Sequence, residues 1–143
     1  MKVVNKEHRI EGAGEDVWAV LADFGNFLIW ATGGAGTAKI EGEGVGMIRH
    51  LEIPGLGQVS ERLDSLDHPN KLLAYSMVSQ GMAGMAEYAA TVRLESAGEQ
   101  QSRLIWRGEF KAQDGLSEEE VAIGLAASYD AMAMGLKAYV GSK

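Results

Sequence analysis

The stretch RHLEIPGLGQVSERLD, residues 49–64, sets a Pro-Gly-x-Gly turn between two strand-like runs and so reads as a β-hairpin. In the first run Met47, Leu51 and Ile53 share a face with Arg49; in the second, Val59 and Leu63 share theirs with Glu61. Side chains two apart in a strand lie on the same side of the sheet, so parity sends both charges inward. The hairpin sets them opposite or diagonal to one another. A buried charge is tolerated only when paired and hydrogen-bonded. The pair is therefore expected either to fix the register of the hairpin or to supply polar lining to a wet cavity.

Further strand signals follow at the spacing of an antiparallel meander, at residues 72–79, 88–95 and 103–112. The connections DHPN, QGMAGM and SAGEQQ have turn chemistry. Upstream, residues 3–10 read as an opening strand. Glu15 and Asp16 then follow a Gly12-Ala13-Gly14 break and start a helix, with acids at the positive end of its dipole. The segment EDVWAVLADFGNFLIW breaks at Gly25-Asn26, which predicts two short helices, and the glycine-rich run 33–46 suits a loop, a short strand and a tight turn. After Ser117, an N-cap with Glu120 three residues on, residues 118–140 are helical throughout. Val121, Leu125, Ser128, Met132, Leu136 and Tyr139 step along this helix by threes and fours. The expected class is α+β: about seven antiparallel strands in a sheet curved around one long C-terminal helix, with two short helices after the first strand.

Alternation also assigns what lies between sheet and helix. Leu104, Trp106, Gly108 and Phe110 share one face of their strand; Tyr88, Ala90, Val92 and Leu94 share that of the strand before; Leu73, Tyr75 and Met77 share the next. The helix offers small residues at Gly124, Ser128 and Ala131. Small residues facing Gly108 and Ala90, with Trp106, Tyr75 and Tyr88 holding the layers apart, favour a cavity there. Its expected lining is Arg49, Leu51, Ile53 and Glu61 from the hairpin, Tyr75, Met77, Tyr88, Ala90, Trp106 and Gly108 from the other strands, and Ser128 and Met132 from the helix. The loops at 54–57 and 80–85 join lining strands and should flank the mouth. Methionines at 82, 85, 132 and 134 add a soft, adaptable apolar surface, although filling core gaps is their commoner use.

Composition excludes several functions. A chain of 143 residues, 46% hydrophobic, reads as one globular domain spanning residues 1–143. Thirteen basic residues scattered among twenty acidic ones give a net charge of -7, which repels phosphate backbones and argues against a nucleic-acid partner. No cysteine means no disulfide, thiol nucleophile or thiolate metal site. The opening MKVVNKEHRIEG lacks a signal peptide's apolar stretch, and no run reaches the ~18 apolar residues of a membrane span, so a cytoplasmic protein is expected. His8, His50 and His68 lie too far apart for a metal motif, and EGEGVG leads into a strand rather than the helix of a nucleotide loop. No cofactor or metal is implied; monomer and homodimer are both compatible. Phe24, Phe27 and Trp30 read as core, with Trp30 able to edge the mouth.

The runs EDVWAVLADFGNFLIW, EGEGVGMIRHLEIPGLGQVSERLDSLD, KLLAYSMV, AEYAATVRL and WRGEFKA, before a long terminal helix, resemble the bacterial polyketide cyclase/dehydrase group of the START-like, Bet v 1-like (SRPBCC) superfamily. The resemblance spans nearly the whole chain. Its most specific part is VG-x-x-R followed by ERLD-x-LD. It implies a helix-grip fold around a cavity for an apolar or amphipathic small molecule. The chain is also similar to the plant abscisic-acid receptors. There the loop matching residues 53–57 is a mobile gate, the loop matching 80–85 is a latch, and the residues matching Glu61 and Tyr88 line the pocket. GMAGM stands in place of a His-Arg latch, and no lysine is placed to hold a ligand carboxylate, so hormone sensing and phosphatase partnering do not carry over.

Two function classes remain. The first is binding of a small hydrophobic or amphipathic molecule, lipid- or polyketide-like, which needs only a cavity, polar anchors and a gate. The alternative is a cofactor-independent cyclase, dehydrase or lyase with Glu61 as its catalytic group. Beside Arg49, Glu61 is expected as a carboxylate, which suits a base or a water-positioning group better than an acid.

Overall fold

The computed structural model describes residues 1–142. Its central hairpin joins β3 (Ile48–Ile53) to β4 (Gly57–Asp67), with Arg49 directly opposite Glu61. The turn closes through Leu56 N to Ile53 O at 3.0 Å. Gly55 and Gly57 adopt φ of +83° and +97°, a region that L side chains rarely enter, which explains the glycines on either side of Leu56.

From β4 the chain meanders through β5 (Leu72–Met77), β6 (Met85–Gly98) and β7 (Gln101–Ala112). The two strands that precede the hairpin, β1 (Lys2–Glu11) and β2 (Thr37–Glu41), take opposite edges, giving an antiparallel sheet in the order β1-β7-β6-β5-β4-β3-β2. Between them, α1 (Gly14–Ala22), a 3-10 turn (Phe24–Asn26) and α2 (Phe27–Ala31) carry the chain from one edge to the other. Strand β6 is longer than the alternation at 88–95 predicts, because its flanks also pair with β7, at Glu87 with Lys111 and at Ser96 with Ser102.

Burial follows strand parity. Leu104, Trp106, Gly108 and Phe110 are buried on β7, and Tyr88, Ala90, Val92 and Leu94 on β6. The last helix, α3 (Glu118–Gly141), lies over this face. Ser117 caps it by accepting from the Glu120 N–H at 3.3 Å, and Glu118, Glu119 and Glu120 occupy the positive end of its dipole. Its buried stripe is Leu125, Tyr129, Ala133 and Leu136. Each large apolar side chain buried here contributes about 1.5–3 kcal/mol of transfer free energy. The C-terminal half of α3 packs closely on α2, where Gly135 lies so near the Trp30 carbonyl that any Cβ would collide with it. Trp30 is buried in that contact. None of the described helices is long and apolar enough to cross a membrane.

Candidate functional site

Arg49 and Glu61 both point inside and are buried, at 4% and 7% exposure. Arg49 Nε donates to Glu61 Oε1 at 3.0 Å, and Nη2 lies 2.9 Å from the same oxygen. Its Nη1 donates to the Phe24 carbonyl at 3.2 Å. The guanidinium sits 3.8 Å from the ring centre of Phe24, 4.2 Å from that of Phe27 and 5.0 Å from that of Tyr75. A planar, weakly hydrated cation suits this enclosure of aromatic faces, where an ammonium would not. Both nitrogens engage Oε1, which leaves Glu61 Oε2 without a hydrogen bond from any described residue.

Polar groups then continue diagonally across the sheet. Glu61 pairs with Met77, two residues from Tyr75; Tyr75 pairs with Ala90, two residues from Tyr88. Residues two apart share a face, so Glu61, Tyr75 and Tyr88 form one inward line over three strands. Tyr75 and Tyr88 hydroxyls lie 3.1 Å apart, and Trp106 Nε1 donates to Tyr75 at 3.2 Å. From α3, Tyr129 brings its hydroxyl to 2.5 Å from that of Tyr88, and its ring stacks on Trp106 at 4.9 Å. Burial, reinforced by the charge of Glu61, raises the ionisation of Tyr75 above its usual range; burial is also the main cause at Tyr88 and Tyr129. The three phenols stay protonated.

A cavity of about 550 Å³ opens between this line and the N-terminal half of α3. Of the residues that parity assigned to a cavity, Leu51, Ile53, Glu61, Tyr75, Met77, Tyr88, Ser128 and Met132 line it. Arg49, Ala90, Trp106 and Gly108 do not, and here the sequence expectation needs correction. The space over Gly108 is filled by Tyr129, whose ring stacks on Trp106, and Arg49 lies behind Glu61 among the aromatic rings. The open volume is therefore shifted away from β7, toward β3, β4 and β5. Gly124, Ser128 and Ala131 border it as small helix residues, while Leu56 of the first loop and Met82, Ala83 and Gly84 of the second stand along it.

Tyr129 is the cavity-lining phenol that sequence reading missed. A signal for it existed: it lies four residues from both Leu125 and Ala133, on the stripe that α3 buries deepest. The stripe through Ser128 and Met132 is the neighbouring one, turned toward the cavity. Phe27, Val59 and Leu125 complete the apolar wall.

The histidines serve other contacts: His8 Nε2 with Asp130 at 2.7 Å, His50 Nδ1 with the Ser60 hydroxyl at 2.7 Å, and His68 Nδ1 accepting from Trp18 Nε1 at 3.0 Å. Among the described residues no cluster of three or more His, Asp or Glu could hold a metal ion.

Comparison with protein families matches residues 1–141 to the model described as polyketide cyclase/dehydrase and lipid transport. Among solved structures, an uncharacterized protein from Bacillus thuringiensis superposes with a TM-score of 0.85 at 21% identity, covering 97% of this chain and 98% of that one. The protein XoxI from Bacillus cereus gives 0.83 at 21%, covering 98% and 96%. Norcoclaurine synthase from Thalictrum flavum, in complex with dopamine and hydroxybenzaldehyde, gives 0.76 at 22%, covering 99% and 87%. At these identities the likeness establishes the fold, which is Bet v 1-like. Comparison with curated proteins finds no match.

Proposed function

Because the chain belongs to the polyketide cyclase/dehydrase and lipid transport family, we propose that it binds a small hydrophobic or amphipathic molecule, lipid- or polyketide-like, in the cavity between sheet and C-terminal helix. One observation carries this reading. The cavity, about 550 Å³, is walled by apolar side chains and converges on one free carboxylate oxygen and three phenols. Small-molecule sites have this composition: a few fixed polar groups orient a ligand whose apolar body supplies most of the affinity. Leu56, Met82 and Ala83, from the loops that follow β3 and β5, line the cavity, and on this reading those two loops admit the ligand.

The position that tests it is Gly124. It lines the cavity, has helical geometry, and a Cβ there would meet nothing within 4 Å, so a large side chain can block the cavity without disturbing the helix. Wild type should bind the neutral dye Nile red one to one, and Gly124→Trp should lose that binding while keeping its unfolding midpoint. Equal dye binding by both proteins would place the dye elsewhere and contradict the proposal.

The free Oε2 of Glu61 favours a second reading, in which the carboxylate acts as a base on a bound substrate. Norcoclaurine synthase, which shares the fold, has small aromatic molecules bound, so cavities of this architecture can house reactions. In that case Glu61→Gln would lower turnover of a cyclisable polyketide-like substrate by about two to four orders of magnitude while binding stayed within a few fold.

A further inference from the structure

Among the described residues, the side-chain nitrogens and oxygens that are enclosed and lack a hydrogen bond are His8 Nδ1 and Trp30 Nε1. Glu61 Oε2 has no hydrogen bond from any described residue either, yet it is not one of these enclosed atoms. It is therefore open to a neighbour the size of a water, and the space beside Glu61 is the cavity that this residue lines. Arg49 keeps the oxygen in that state. Its Nε and Nη2 both engage Oε1, and Nη1 donates to the Phe24 carbonyl, so every guanidinium nitrogen is committed elsewhere.

A carboxylate oxygen only accepts, so its partner must bring a hydrogen. Hydrogen bonds to a charged acceptor are about twice as strong as neutral ones. The other polar groups of the lining do not select in this way. The hydroxyls of Tyr75, Tyr88, Tyr129 and Ser128 can each give or accept, and the second carboxylate, Glu120, is exposed to water. The ion pair also limits charge. Arg49 balances Glu61, so an ammonium or a carboxylate placed beside the pair would leave water without gaining a countercharge of its own.

Position sets the direction of the ligand. Glu61 is 7% exposed, whereas Leu56 and Leu116 of the same lining are 48% and 50% exposed and mark the solvent side. Resting on the reading of this cavity as a ligand site, we infer that Glu61 Oε2, held in place by Arg49, is the anchor for a hydrogen-bond donor and selects uncharged amphipathic ligands whose buried end carries a hydroxyl or an amide N–H.

The test uses 2-naphthol and 2-methoxynaphthalene, which share the ring and its oxygen and differ in the hydroxyl hydrogen. Each is titrated by fluorescence into wild type and into the paired substitution Arg49→Met with Glu61→Leu. The ether is the more apolar molecule, so burial alone would make it the tighter ligand. Wild type should reverse that order and bind 2-naphthol about tenfold or more tightly than the ether, as one hydrogen bond to a charged acceptor allows. The paired substitution should weaken 2-naphthol by about ten- to a hundredfold and leave the ether within about threefold. An ether that binds wild type as tightly as 2-naphthol would overturn the inference without recourse to a variant, because Oε2 would then be served by water alone. So would a paired substitution that keeps the preference for 2-naphthol, since another group would then accept the hydroxyl. Failure of both probes to bind wild type would instead refute the cavity as a ligand site.

Discussion

Gly108 of β7 lies directly beneath the hydroxyl of Tyr129 on α3: a Cβ at position 108 would overlap the phenol oxygen and come within 3.2 Å of Tyr129 Cζ and of Tyr88 Cε1. The absent side chain therefore lets the helix phenol reach the phenols of the sheet. Gly108→Ala should push Tyr129 out of the chain of hydroxyls and destabilise the protein by about 1–3 kcal/mol, as overpacking of a filled core does. Urea unfolding measures the loss; wild-type stability in this variant would show that Tyr129 is not seated as described.

The same three phenols make stability depend on alkaline pH. Each holds its proton to a higher pH in the folded protein than the ordinary value of 10.0, because burial disfavours the phenolate. The unfolded chain releases these protons as pH rises through 10 while the folded protein retains them. Stability is therefore complete below pH 10 and falls above it, with a limiting slope of about 4 kcal/mol per pH unit for three protons. Denaturant midpoints measured from pH 8 to 11 should be level and then drop steeply, and Tyr129→Phe should reduce the slope by about a third. A flat profile through pH 11 would show that the phenols ionise freely.

The antiparallel meander and the inward aim of Arg49 and Glu61 were legible because each rests on period-two alternation, a local property of the chain. The location of the open space was not. It depends on the rotation of α3 about its axis, and the alternatives, a stripe through Ser128 or one through Tyr129, differ by a single residue. Both stripes are apolar enough to face inward. Contact with Trp30 and Ala31 at Gly135, close in space but distant in sequence, accompanies the observed rotation. Once Tyr129 turns inward, Gly108 becomes the place where it fits, and the volume expected there moves toward the hairpin.

The ion pair should show the asymmetry of buried charges. Glu61→Gln leaves the Arg49 guanidinium without a countercharge, at a cost of about 3–5 kcal/mol for a fully buried pair. The Phe24 carbonyl and the three rings around Arg49 remain, which puts the expected loss at the lower end, about 3 kcal/mol. Replacing both partners, Arg49→Met with Glu61→Leu, should cost less than Glu61→Gln alone. Thermal unfolding of the two variants compares them; a double variant less stable than the single one would show that the pair is itself a net source of stability.

The methionines place the ligand most directly. Met77, Met82, Met85 and Met132 line the cavity, whereas Met1 and Met134 are exposed and lie away from it. Methyl NMR of methionine-labelled protein, titrated with Nile red, reads all of them at once. Binding in the cavity predicts saturable shifts at Met77, Met82, Met85 and Met132 with a common affinity, and none at Met1 or Met134. Shifts at Met134 with the four lining methyls unmoved would put the dye on the outer surface of the helix and contradict a ligand site between sheet and helix.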